Sequence, residues 1–337
     1  MSVPPVPAAS AALPAPPDSD QLIIACAASR EGGGAEALQG LRLPHLEQLL
    51  DRLQIGAAEA VDSASPDMPH ERALARAMGL RAAPGHAPWA ALALRQRGID
   101  PGSRAWAWIT PCHWQIGMDH VLLQDPADLQ LRAEEAAALL AAMAPYFAED
   151  GLQLQSDDAR PGDQPVRWLA CGEALRDLPT ASLDRVIGCD IGPWLPHSDR
   201  VRPLRRLQSE MQMLLYNHPV NDARLAQRRV PVNAFWISGA GALDEPAGAM
   251  PAPPTLELRL KDPALQHDWP RWRATWQAVD DSTCAALLAR LRAGHDVRLT
   301  LCGDETVRGW QGTPAGLLHR ISSLFGTQPA SKGLSLL

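Results

Sequence analysis

No apolar run in the chain approaches the roughly 20 residues needed to cross a bilayer, so no membrane-spanning helix is expected. A surplus of positive charge is missing as well. The 337 residues carry a net charge of −7, and general affinity for nucleic acid or an anionic membrane depends on a basic face that displaces counterions. Neither partner class is therefore expected. The six cysteines (Cys26, Cys112, Cys171, Cys189, Cys284, Cys302) include no CxxC pair, and a chain of this size needs no disulfide staples, which suits reduced thiols in a cytoplasm. The opening MSVPPVPAASAALPAPPDSD has neither a basic region nor a continuous apolar one, so residues 1–20 read as a flexible tail and not as a secretory signal. No internal repeat is evident. The loop SREGGGAE lacks both the GxGxxG spacing and the GxxxxGK[ST] lysine, which argues against a nucleotide site and leaves a flexible surface loop.

What is present is the balance of a soluble globular protein, 46% hydrophobic and 20% charged, long enough for two packed units or for one domain with a large insertion. QLIIACAA reads as a buried strand leading into a glycine-rich connection. LPHLEQLLDRL places Leu46, Leu49, Leu50 and Leu53 on one helical face behind Pro44. MPHERALARAMGL and PWAALALRQRGID read as helices stopped by Gly79 and Gly98. RAWAWIT, HVLLQDP, LQLQ, VRWLAC, VNAFWISGAG, TLELRL and VRLTLCGDE read as strands. Helices are expected in LRAEEAAALLAAMAPYF, RVRPLRRLQSEMQMLLYNHP, WPRWRATWQAVDDSTCAALLARLRAG and PAGLLHRISSLFG. Alternation of this kind indicates a layered α/β core.

Three clusters carry candidate chemistry. HPVNDARLAQRRVPVNAFWISGAG gathers His218, Asn221, Arg224 and Asn233 at a helix start and a strand mouth, where convergent donors can hold an anion. The same residues can equally cap the helix and satisfy backbone carbonyls. TPCHWQIGMDHV brings His113, Asp119 and His120 into a short span, so a single Mn or Zn ion is the metal alternative to having no cofactor, provided the histidines approach across a hairpin. TASLDRVIG offers Ser182, Asp184 and Arg185, for which a helix cap or turn is the simpler reading. Trp269, Trp272 and Trp276 fall on one helical stripe, as core or interface residues do; left exposed, they would suggest a protein partner.

Collinear strings give this chain a family resemblance. TPCHWQIGMDHV, LPTASLDRVIG, LRRLQSEMQMLLYNHPVNDAR and PVNAFWISGAG resemble the RpfE-type regulatory proteins of proteobacteria. More distantly, HPVN followed by a basic helix, Pro-x-Asn and a strand closing in GAG is similar to archaeal-type cofactor-independent phosphoglycerate mutases of the alkaline-phosphatase-like superfamily. LPHLEQLLDRL, DPGSRAWAWIT and RAEEAAALLAAM follow in matching order over roughly residues 21 to 310. The resemblance implies an alkaline-phosphatase-like layered core over 21–100 and 230–327, a smaller α/β domain inserted at 101–229, and a tail at 328–337. Such mutases need two divalent metals held by Asp and His beside a serine that accepts the phosphoryl group. Their first strand carries a metal-binding Asp-Gly, where this chain has IIACAASR. Their Pro-Gly-Ser-Asp turn is replaced by Pro69, His70, Glu71 and Arg72, and their late Asp-His pair by CGDETVRGW with Asp304, Glu305 and Trp310. The reading is a non-catalytic, regulatory relative that binds a small anionic metabolite or a protein partner, with a metal-dependent phosphomutase or phosphatase as the alternative.

Overall fold

The computed structural model describes residues 19–157, 166–195, 202–243, 251–312 and 330–337. Its strands are β1 (Gln21–Ile24), β2 (Gln54–Ala60), β3 (Trp106–Cys112), β4 (Trp114–Ile116), β5 (Val121–Leu123), β6 (Gln153–Ser156), β7 (Trp168–Cys171), β8 (Ala234–Gly241), β9 (Thr255–Glu257), β10 (Val297–Cys302) and β11 (Thr306–Gly312). The described residues fall into two compact units, one drawn from Met1–Ala60 and Ala252–Leu337, the other from Val61–Pro251. Both are layered α/β structures.

The first unit holds a mixed five-stranded sheet in the order β2-β11-β10-β1-β9. β1 lies between two parallel neighbours, with Ile23 opposite Thr300 of β10 and Leu256 of β9. Leu22, Ile23 and Ile24 are all buried, as an interior parallel strand covered on both faces requires. β10 alternates instead: Val297, Leu299 and Leu301 face the core while Arg298 is exposed. β11 reverses direction against β10 and β2.

Helix Pro44–Arg52 buries Leu46 and Leu49, and its first free N–H groups are received by Asp280, from His45 N at 3.1 Å and Leu46 N at 2.7 Å. Asp280 opens a π-helical turn, Asp280–Cys284, that joins helix Trp269–Val279 to helix Ala285–Ala293. Trp272 and Trp276 are fully buried edge to face, and their indole N–H groups donate to Cys26 O and Ala27 O at 3.0 and 3.1 Å. Trp272 and Trp276 are core residues, whereas Trp269, the third of the expected stripe, is half-buried. Trp310 is buried in the same core.

The second unit holds the antiparallel sheet β6-β7-β3-β8 and the hairpin β4-β5. Helices Ala133–Glu149 and Arg202–Tyr216 share a core of Leu139, Met143, Phe147, Leu207, Met211 and Leu215, with the Phe147 and Phe235 rings 5.3 Å apart. Helices Pro69–Ala77 and Trp89–Gln96 also belong to this unit.

The division differs from the expected boundaries at 101 and 229. β8 pairs with β3 over Cys112↔Ala234 to Trp106↔Gly241, which draws 234–241 away from the first unit's sheet. The expected terminal tail is also corrected: Ala330–Leu334 is helical, and Leu334 and Leu337 are buried in the first core. The closing helix expected in PAGLLHRISSLFG and the tail at 1–18 lie outside the described residues. No disulfide joins the six cysteines. Among the described residues, no helix is long and apolar enough to cross a membrane.

Candidate functional site

The donor-rich stretch from His218 is held by the protein itself. His218 caps helix Pro219–Ala226, its Nδ1 accepting Val220 N at 3.2 Å. Burial lowers the imidazole pKa, which keeps that nitrogen an acceptor. Asn221 is buried: Nδ2 donates to Leu215 O at 2.7 Å and Val232 O at 2.6 Å, while Oδ1 accepts Val232 N at 2.9 Å. Arg224 is buried too, with Nε donating to Val230 O (2.8 Å), Nη1 to Glu135 Oε2 (2.9 Å) and Nη2 to Leu129 O (2.6 Å). Asn233 ties β4 to β8 by accepting Trp114 N at 2.7 Å and donating to Trp114 O at 2.9 Å.

These bonds correct the anion-site expectation. Three donor nitrogens of Arg224 and both amide N–H groups of Asn221 already have partners, and the carboxylate that answers the arginines is internal. Glu135 also accepts Arg229 Nη1 at 2.8 Å and Arg132 Nη2 at 2.9 Å. Burial alone would raise its pKa, but hydrogen bonds from Arg132 and the charges of Arg224 and Arg229 outweigh that and bring it down to about 2. The sequence reading missed Glu135 as a partner and treated LRAEEAAALL as helix former only. Its position as the third residue of the helix, where Oε2 reaches back to Arg132 N at 3.0 Å, was the available signal.

The proposed metal ligands separate in the same way. His113 Nδ1 bonds to Pro231 O at 2.9 Å, whereas His120 Nδ1 and Asp119 Oδ1 pair at 2.8 Å on the exposed hairpin. His113, Asp119 and His120 do not bring ligand atoms within 4.8 Å of one another. Successive positions along a hairpin face opposite ways, and that places His113 apart from the exposed pair.

A groove instead opens at the carboxyl edge of the first unit's parallel strands, the place where open α/β sheets receive ligands. Beyond β1 the chain stays in the sheet plane, with Ala25 N donating to Glu257 O at 3.0 Å and Ala27 N to Cys302 O at 2.7 Å. It then turns at Ser29. Ser29 Oγ donates to Asp304 Oδ2 at 2.8 Å, and Arg30 N donates to the same oxygen at 2.8 Å. The groove, about 540 Å³, is lined by Ser29, Arg30, Gln39, Asp304, Lys332 and Ser335 among others. SREGGGAE, expected as a flexible loop, packs here: a Cβ on Gly34 would lie 2.6 Å from Ser29 O, and Trp269 Nε1 donates to Gly32 O. Among the described residues, the trios of His, Cys, Asp or Glu that converge within 4.8 Å are His45, Asp280, Asp281 and His70, Glu71, Asp184, and neither lines this groove.

No known protein family is matched by the sequence, and no curated protein matches it. Solved structures do. The cofactor-independent phosphoglycerate mutase from Thermoplasma acidophilum DSM 1728 is similar at 16% identity over 94% of this chain and 98% of that one, with a TM-score of 0.37. The PH0037 protein from Pyrococcus horikoshii is similar at 12% identity over 87% of each chain, with a TM-score of 0.46.

Proposed function

We propose that this chain is a non-catalytic relative of phosphoglycerate-mutase-like proteins, with a regulatory role exerted by binding a small anionic metabolite in the first unit's groove. The observation that supports this reading most is the groove's composition. Arg30 and Lys332 bring positive charge to a hydroxyl-rich rim, while Asp304, the side-chain carboxylate among its described lining residues, is tied to Ser29 and to Arg30 N. Phosphoryl transfer would need an activated nucleophile and convergent metal ligands at the same edge. The alternative reading is a metal-dependent phosphomutase or phosphatase, and the Ser29–Asp304 hydrogen bond is what favours it.

Calorimetric titration with inorganic phosphate and with 3-phosphoglycerate decides between them. Saturable binding is expected, weakened at least about fivefold in Arg30→Ala and in Lys332→Ala, the loss of one charge-assisted contact. No turnover is expected with added Mn or Zn. Binding unchanged in both variants would remove the groove assignment, and turnover abolished by Ser29→Ala would establish the alternative.

A further inference from the structure

A second polar cluster, wholly within the second unit, surrounds the start of helix Pro69–Ala77. Glu71 Oε2 accepts Met68 N at 2.7 Å, the reciprocal arm of a helix cap, which points the carboxyl back across the helix start. The preceding Asp67 is buried and accepts Gly85 N through Oδ2 at 2.9 Å. The segment at Thr180–Arg185 is fastened against this turn: Thr180 N donates to Gly85 O at 2.9 Å, Ser182 N to Pro66 O at 3.0 Å, and Arg185 Nη2 to Asp67 O at 3.0 Å. These bonds carry Asp184 to His70, with Oδ2 and Nε2 3.8 Å apart. One ligand atom from each of His70, Glu71 and Asp184 then lies within 4.8 Å of the others.

Ser182 gives an independent sign that something belongs there. It holds the N-cap position of the short helix Leu183–Val186, where a serine hydroxyl ordinarily receives a backbone N–H, yet it makes no cap bond. The residue is only 9% exposed, and its Oγ is buried facing the Glu71 carboxyl without a well-formed hydrogen bond to it. Unbonded polar atoms in a protein interior are rare, and a buried hydroxyl left so beside a cluster of ligand side chains marks a place for a bound group.

We propose that His70, Glu71 and Asp184 bind one divalent transition-metal ion, with Ser182 Oγ turned toward the ion and its bound water. One imidazole and two carboxylates form a borderline ligand set that suits Zn2+, whereas Ca2+ and Mg2+ favour oxygen alone and soft ions favour thiolate. The 3.8 Å between His70 Nε2 and Asp184 Oδ2 is close to the edge of a tetrahedron built on bonds of ~2.1 Å, about 3.4 Å. Arg72 Nη1 approaches Asp67 Oδ2 at 3.6 Å, and Arg185 engages the Asp67 carbonyl. In the other trio both carboxylate oxygens of Asp280 accept backbone N–H groups, from His45 and Leu46, and Asp281 is exposed, whereas Glu71 caps its helix through Oε2.

The test is a Co2+ titration of chelator-treated full-length protein, followed by visible absorption. One equivalent should saturate the signal without a thiolate charge-transfer band, and Zn2+ should displace it. Glu71→Gln, which keeps its shape and its acceptor for Met68 N, and Asp184→Asn should each weaken binding by more than about tenfold, the loss that even outer-shell changes produce. His45→Ala and His120→Ala should bind as the wild type does. Far-UV circular dichroism of each variant confirms that it is folded. Absence of saturation in the wild type, a thiolate band, full binding by folded Glu71→Gln and Asp184→Asn, or loss confined to His45→Ala would each overturn the assignment.

Discussion

Glu135 sits where three guanidinium contacts and a backbone N–H converge, and Arg224 beside it is as buried as the hydrophobic core. Removing one partner of a buried ion pair leaves a charge without water or counterion, which costs about 3–5 kcal/mol. Glu135→Gln should therefore lower the urea midpoint strongly. The same residue fixes the acid response. Its folded pKa, about 2, lies below the ordinary 4.5, so the stability it contributes is fully present above pH 4.5 and is lost as pH falls toward 2. The amplitude is about 3 kcal/mol. Urea midpoints measured from pH 5 down to pH 2 should fall more steeply in the wild type than in Glu135→Gln; parallel curves would refute the assignment. At this scale the sequence showed half of each arrangement. The donors of HPVNDARLAQRR stand together in the chain, but their acceptor lies 89 residues before Arg224, a distance that no local spacing reveals. Ser182, Asp184 and Arg185 were visible as a group, while His70 and Glu71, which complete it, arrive from another turn of the chain.

Elements with a strong period were legible, and those without one were not. Helices Pro44–Arg52 and Ala133–Glu149 and strands β1, β3 and β10 follow patterns that burial imposes on the sequence. β2, QIGAAEA, is exposed along nearly its whole length at a sheet edge, so no alternation marked it. β11 was hidden by the glycines within TVRGWQG. The glycine loop lies at the surface over 30–33, as expected, but composition did not show how closely Gly34 packs. Gly34 is required by the close approach of Ser29, so Gly34→Ala must displace the turn that carries Ser29 and Arg30. A melting temperature several degrees lower is expected, about 1–3 kcal/mol for overpacking, together with weaker phosphate binding. An unchanged melting curve would show that the loop yields freely.

Over the whole molecule, composition and alternation were enough to indicate layered α/β structure, but not which strands share a sheet. β8 has the apolar run of a core strand in either unit, and only its pairing with β3 assigns it. The second unit is continuous in sequence and holds every strand of its own sheet, so a fragment spanning Val61–Pro251 should fold alone. A cooperative urea transition of that fragment, with native-like circular dichroism, is the expected result; a non-cooperative one would mean that the sheet depends on the rest of the chain.

The first unit has no such autonomy. β1 is made before the whole second unit, yet both of its flanking strands, β9 and β10, follow that unit. A ribosome translating this message therefore extrudes a sticky apolar segment long before anything can cover it. Termination before β9 and β10 would leave that segment permanently bare, a target for chaperones and proteases, so only messages read past those strands can yield a lasting product.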